Sequence, residues 1–367
     1  MNRIPLSRVE RRRLFYLLVG IFLILSPLLV AYSLGYTFRL SKRTLQQVGG
    51  IFLKSDTSGI SVFLNNQFVK ETSFLPGGAL LPNLAPGAHL LRVEKSGYQS
   101  WSKTISVEPF LVSEFRDILL VPQPVSAATA TPQERILLAE PVSPPKPVGL
   151  DSEGNLFLRG TEEILATNVQ AYGIAEKGEV FFMDKNGFLA QIETGTGAIR
   201  VLGRPGFYLE GNRPLKFVVS PLGDIAVLDS SGGGYLFHKG GGFITVGGDI
   251  RNFSFDSEGK KLLAIRERDA SVVWVEKNAN QPFQAVGTIE PLVRFKSLIR
   301  DMAWFFGDDA HAVMRTSEGL FLTEADGRGG RNTVQLIEGP VEAMRTLTKF
   351  PNAVFFLQEK VWRKIEL

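Results

Sequence analysis

The sequence predicts an all-β exported region behind one N-terminal transmembrane helix: a small β-sandwich, then a β-propeller of six blades. Three observations carry that reading. An uncharged apolar run of 23 residues stands near the N-terminus. Residues 49–121 alternate apolar and polar positions in short runs separated by turn residues. Beyond a proline-rich stretch, a weak repeat recurs at spacings of 36 to 49 residues, the period of a four-stranded propeller blade.

Bulk properties narrow the field first. A chain of 367 residues is long for one domain and comfortable for two or three. Its 44% hydrophobic content, against 21% charged, excludes wholesale disorder. Cysteine is absent, so disulfides, thiolate metal sites, a cysteine nucleophile and a lipidated cysteine are excluded. The pI near 9.2 suggests nucleic acid until the charges are located. Residues 1–43 hold eight basic residues against Glu10 alone, leaving 33 basic and 36 acidic residues for the remainder. The basicity belongs to the membrane flanks, and a nucleic-acid partner is excluded on that distribution.

The apolar run spans Leu14–Tyr36, LFYLLVGIFLILSPLLVAYSLGY. About 20 such residues cross a hydrocarbon core of ~30 Å as a helix. Pro27 removes one helical hydrogen bond, which membrane helices tolerate. Tyr16, Tyr32 and Tyr36 sit near the ends, where amphipathic rings favour the headgroup zone. Five basic residues precede the run and three follow it. Residues 1–13 are therefore expected to be a cytoplasmic tail, with everything after about residue 45 outside. A cleaved signal peptide is the alternative, with Ala31-Tyr32-Ser33 as its small-x-small site. The run exceeds the roughly 7–15 apolar residues of a signal peptide, which favours an uncleaved anchor over residues 14–36.

Residues 49–121 read as a small antiparallel sandwich. Ile60, Val62 and Leu64 alternate with Ser61, Phe63 and Asn65, and Asn65-Asn66 supplies a hairpin turn. Pro76-Gly77-Gly78 and Ala85-Pro86-Gly87 are further breaks. The runs GGIFLKSDTSGISVFLNNQFV and NLAPGAHLLRVEKSGYQSWSKTISV resemble a PEGA domain, carried by Pro86, Gly87, His89, Gly97, Tyr98 and Trp101. Asn66 stands where the family often has glycine. The resemblance implies an accessory β module of a surface protein, adhesive, spacer or wall-proximal, without catalysis of its own. On the residues alone, His89 reads as a structural histidine, and Tyr98 and Trp101 as packing aromatics.

Residues 122–147 contain seven prolines and read as an extended spacer, with Arg135–Ala139 as a single strand within it. Residues 148–367 carry the repeat. Its units begin at AYGIAEKGEVFFMD (171), FVVSPLGDIAVLD (217), FSFDSEGKKLLAI (253), MAWFFGDDAHAVMR (302) and MRTLTKFPNAVFFLQ (344), with a shortened unit, GLDSEGNLFLRG, at 149. Their rhythm resembles TolB-like six-bladed propellers, with five or seven blades and a second irregular sandwich as alternatives. The last strand, Val361–Leu367, leaves its blade short by one. An open edge there is costly, so closure by a strand from the start of the region is expected, with Arg135–Ala139 the candidate.

Chemistry-bearing motifs are few. His89, His238 and His311 lack zinc-ligand spacing. Asp184-Lys185-Asn186-Gly187 reads as a β-turn, not a calcium loop. Gly195-Thr196-Gly197 lacks the third glycine of a dinucleotide motif, and the glycines at 232–234 and 240–242 read as loops. Asp301 and Asp308-Asp309 are candidate paired carboxylates, for which solvated loops are the better reading. The expectation is a non-enzymatic envelope protein without cofactor or metal, single-pass in the membrane. Its modules would bind a protein or a cell-wall or surface polymer. An extracellular sensor acting through a membrane partner, or a propeller glycosidase or lyase, are the alternatives.

Overall fold

The computed structural model describes residues 8–33, 35–39, 44–72, 78–139, 147–193, 196–205 and 215–367. Residues 1–7 of the tail, Pro76-Gly77, residues 140–146 of the proline-rich stretch and Thr194-Gly195 lie outside these. One helix, Arg8–Ser33, is long and apolar enough to cross a membrane, and none of its apolar window is buried by the chain. It includes the six residues ahead of the apolar run, where the arginines are good helix formers. It stops short of Tyr36 because Gly35 adopts φ +72°, and Tyr36–Arg39 then pairs with Thr44–Gln47 as a hairpin.

Two compact units follow from the contacts within the chain, one ending at Leu120 and one running from Val121 to Leu367 with Ser96–Gln99. The first holds two facing sheets. One orders Ala79–Leu84, Gly49–Ser55 and Val112–Ile118; the other orders Gln67–Glu71, Ser61–Leu64, Gly87–Glu94 and Trp101–Val107. Between them lie Ile51, Leu53, Val62, Leu91, Val93, Trp101 and Phe115, with the last two rings 5.9 Å apart. This sandwich is not wholly antiparallel as expected: Gly49–Ser55 and Val112–Ile118 run parallel. The chain leaves one sheet at Val107, crosses in four residues beside Gly49, and enters the other sheet opposite Gly50, so both strands start at the same end.

Among the described residues the second unit contains six sheets in chain order, the six blades of a propeller. Blade 1 has three strands (Val148–Leu150, Leu156–Leu158, Glu163–Ala166). Blades 2 to 5 have four each, and their first strands are Val169–Ile174, Lys216–Val219, Asn252–Phe255 and Asp301–Phe305. Those first strands neighbour one another and form the inner ring. Second strands such as Ile225–Leu228 and Lys261–Ile265 are buried on both faces, which explains continuous apolar runs where a half-buried strand would alternate. In blade 4, Leu262 and Ala264 pack towards blade 3, while Leu263 and Ile265 pack towards blade 5.

Blade 6 is sewn from both ends of this unit. Ala343–Leu347, Phe350–Gln358 and Val361–Glu366 take their fourth strand from Ala128–Thr129, and the Ala130 N–H donates to the Trp362 carbonyl at 2.9 Å. The closing strand thus lies upstream of the predicted one. Arg135–Ala139 is helical instead, within Pro132–Ala139. Thr131 caps that helix. Its hydroxyl accepts the Glu134 N–H at 3.3 Å, and its own N–H donates back to Glu134 Oε2 at 2.7 Å. This reciprocal box, with Pro132 in the first turn, fixes a helix where apolar content alone suggested a strand. Asn352 lies against Gly307 of blade 5, so pleating turns Ala353 and Phe355 the other way, where Leu138 of the helix packs on them.

Candidate anion-binding cavity

The inner strands of blades 4, 5 and 6 line a half-open cavity of about 990 Å³. Its lining carries Arg251, Arg266, Arg300, Arg315, Arg345 and Lys349, with Asp301 as the one carboxylate among the lining residues. Repeat geometry puts them there. Arg251 and Arg300 each precede an inner strand, and their backbone N–H groups donate to the carbonyls of Ile265 and Arg315 at 2.8 Å. Arg266 and Arg315 sit at the ends of the paired second strands. Arg345 lies within the inner strand of blade 6, and Lys349 in the turn after it.

These cations differ in how they are held. Arg315 places Nε and Nη2 each 2.6 Å from Asp301 Oδ2, while Nη1 donates to the Val341 carbonyl at 2.9 Å. Asp301 is thereby spoken for. Arg266 donates to the Gly248 carbonyl at 3.1 Å and the Ser271 hydroxyl at 3.0 Å. Arg251 pairs with Glu267 at 3.1 Å, but both side chains are more than half exposed, so the pair is weak. Arg300 and Lys349 are exposed at the cavity's rim. Clustered cations beside low-dielectric walls focus a positive potential.

The other singled-out residues hold the fold. His89 Nε2 lies 2.8 Å from the Ala85 carbonyl and Nδ1 lies 3.1 Å from the Asn65 amide, which fixes the Asn65-Asn66 turn. Trp101 is buried, and Tyr98 bridges to Pro122. Asp184 accepts the N–H groups of Asn186 and Phe188 at 3.0 and 2.7 Å, a plain β-turn. Asp309 is buried and Asp308 half-buried, where solvated loops were expected. Asp308 Oδ2 sits 2.6 Å from His311 Nδ1, and Asp309, 9% exposed, accepts bonds from the Ser257 N–H and hydroxyl. The turn of blade 5 packs on that of blade 4 through Asp309, which is buried there. Asp224, His238 and Glu276 bring one ligand atom each within 4.8 Å. Asp224 Oδ1 already takes His238 Nδ1 at 2.9 Å and the Lys239 N–H at 3.2 Å, which ties two neighbouring strands of blade 3 together.

The basic cavity was absent from the sequence reading. One signal pointed to it: Arg251 and Arg300, like Arg266 and Arg315, are 49 residues apart, the spacing of the repeats they belong to.

No family model matches the chain, and no curated protein matches it. Solved structures are similar in part. The β-propeller domain of Cps50 (Swd1) from Myceliophteria thermophila is 9% identical, with TM-score 0.32, over 60% of this chain and 92% of that one. A gluconolactonase from Xanthomonas campestris is 10% identical, with TM-score 0.32, over 58% and 78%. A functionally unknown protein from Desulfotomaculum acetoxidans is 13% identical, with TM-score 0.36, over 56% and 69%. The blade assignment above rests on the hydrogen-bonded sheets themselves.

Proposed function

We propose that this chain is a single-pass envelope protein, N-terminus in the cytoplasm, whose propeller binds an anionic surface polymer without turning it over. The observation that carries this is the cavity of blades 4 to 6, with six cations and one neutralised carboxylate on its lining. Phosphate or carboxylate groups along a polymer would meet arginines that make paired, charge-assisted bonds. The PEGA-like sandwich would act as the spacer between membrane and propeller. An uncleaved anchor keeps the chain in membranes through carbonate washing, and N-terminal sequencing that begins past Ser33 would refute it.

The binding test uses the full chain in detergent micelles with inorganic polyphosphate as probe, followed by titration calorimetry. Arg300→Glu combined with Lys349→Glu lowers affinity about tenfold or more, because each charge-assisted contact is worth on the order of 1–2 kcal/mol. Unchanged affinity in that variant would remove the cavity from consideration.

A further inference from the structure

We infer that the loop Phe110–Val112 rests in the headgroup–acyl boundary of the same bilayer that helix Arg8–Ser33 crosses. The inference rests on that helix being a membrane span, and it is independent of what the propeller binds. Phe110, Leu111 and Val112 are 49%, 56% and 38% exposed, and Leu80 on the adjacent strand is 48% exposed. Phe110 holds φ +63°, uncommon for an aromatic residue.

The loop is fastened to the point where the chain leaves the helix. Gly35 lies two residues beyond Ser33, within about 7 Å along the chain. A Cβ added at Gly35 would lie 2.9 Å from the Phe110 ring, and the Tyr36 and Phe110 rings meet edge-to-face at 5.8 Å. Backbone bonds complete the fastening: Val48 N–H to the Gly35 carbonyl at 3.0 Å, and Phe110 N–H to the Val48 carbonyl at 2.9 Å. An open cavity of about 440 Å³ sits at the same place, lined by Ser33, Gly35, Leu80 and Leu111 among others. Wherever the helix end meets the lipid surface, these apolar side chains are within a few ångströms of it. Phe, Leu and Val gain by entering the outer few ångströms of the bilayer, and Tyr36 is the residue type that marks that depth. A bilayer is therefore the occupant this apolar tip fits, since the chain itself delivers it there.

Because the chain has no cysteine, single reporters can be placed cleanly. Leu111→Cys, Leu23→Cys and Ser58→Cys are each made in the full chain, labelled with the fluorophore NBD, and reconstituted in phosphatidylcholine–phosphatidylglycerol vesicles. Ser58 lies beyond the far end of strand Gly49–Ser55, about 20 Å from the loop. Leu111 is expected to emit at shorter wavelength than Ser58. It should also be quenched at least about twofold more by nitroxide lipids labelled near the headgroup, the depth at which interfacial side chains lie. Leu23 should be quenched by deep nitroxides. A water-like Leu111 signal with a quenched Leu23 overturns the loop placement alone. A Leu23 label that no nitroxide reaches overturns both the span and the loop.

Discussion

Two lysine–carboxylate pairs hold two seams of the propeller, and they come from opposite kinds of sequence. At the seam of blades 4 and 5, Lys261 Nζ lies 3.1 Å from Asp256 Oδ2, five positions back, beneath the rings of Trp274 and Trp304. In blade 6, Lys364 Nζ donates to Glu134 Oε1 at 3.0 Å across 230 positions. The local pair lies within a blade that would form without it. The remote pair joins the capped helix to the last blade, so it acts on ring closure itself. Their titrations differ in sign as well. Burial raises the Asp256 carboxyl and the Asp309 charge adds to this, outweighing Lys261. Burial opposes ionisation at Glu134 too, but there the Thr131 N–H, Lys364 and the Thr131 hydroxyl prevail, and the carboxyl is held below 4.5.

The largest expected effect comes from deleting residues 128–139. Without the closing strand and its helix, Val361–Glu366 becomes an open edge, and the full chain in micelles should aggregate on warming and lose its cooperative transition. A deletion variant that melts as sharply as the parent would show that blade 6 needs no fourth strand. Next come Phe355→Ala and Trp304→Ala, one on each side of the comparison, each lowering stability by roughly 3–5 kcal/mol in denaturant titration. If Leu138→Ala adds little once Phe355 is gone, the two share one packing unit; full additivity would separate them.

Smaller effects follow from the ion pairs. Glu134→Gln should cost about 1–3 kcal/mol at neutral pH, since Lys364 loses its buried partner. Glu134 has a lowered pKa, so its contribution is present above pH 4.5 and is lost as pH falls through the folded value. The gap between parent and variant melting temperatures should therefore close on acidification. Asp256 runs the other way: with its pKa raised above 3.8, its ionisation costs the fold stability as pH rises through the raised value. The Asp256→Asn variant should lack that decline, and an unchanged pH profile would mean that burial at this seam is relieved in solution. Arg251→Ala, which removes an exposed pair, should change stability by less than about 1 kcal/mol.

How much was legible in the sequence can be judged along the same two seams. Blades 2 to 6 could be read because their second strands, buried on both faces, leave apolar runs such as IAVL and AVFFL after each Gly, Asp or Asn turn. The need for a closing strand was legible from the short last blade, but its identity was not. Ala128–Thr129 is two residues long and exposed, with no apolar signature, whereas Arg135–Ala139 had one. The Thr131–Glu134 capping box was there to be read, and it separates helix from strand where apolar content cannot. The cavity's cations were hidden for another reason. Arg251 to Lys349 span three blades, and only superposing the repeats brings them into register. Asp309 was misjudged because a turn looks solvated until its neighbour's turn is placed on top of it.

Closure by Ala128–Thr129 also decides how the protein bears force. A pull on the chain just ahead of Ala128 acts on the closing strand before it meets a contiguous blade. That strand pairs through two residues only, each hydrogen bond contributing about 1 kcal/mol net. Behind it stand Leu138, set into the face of blade 6, and the Glu134–Lys364 link. Under tension the ladder peels first, and the helix then serves as a toggle that has to be drawn out before the ring opens. Under such a pull the propeller would yield at this latch, leaving blades 2 to 5 folded.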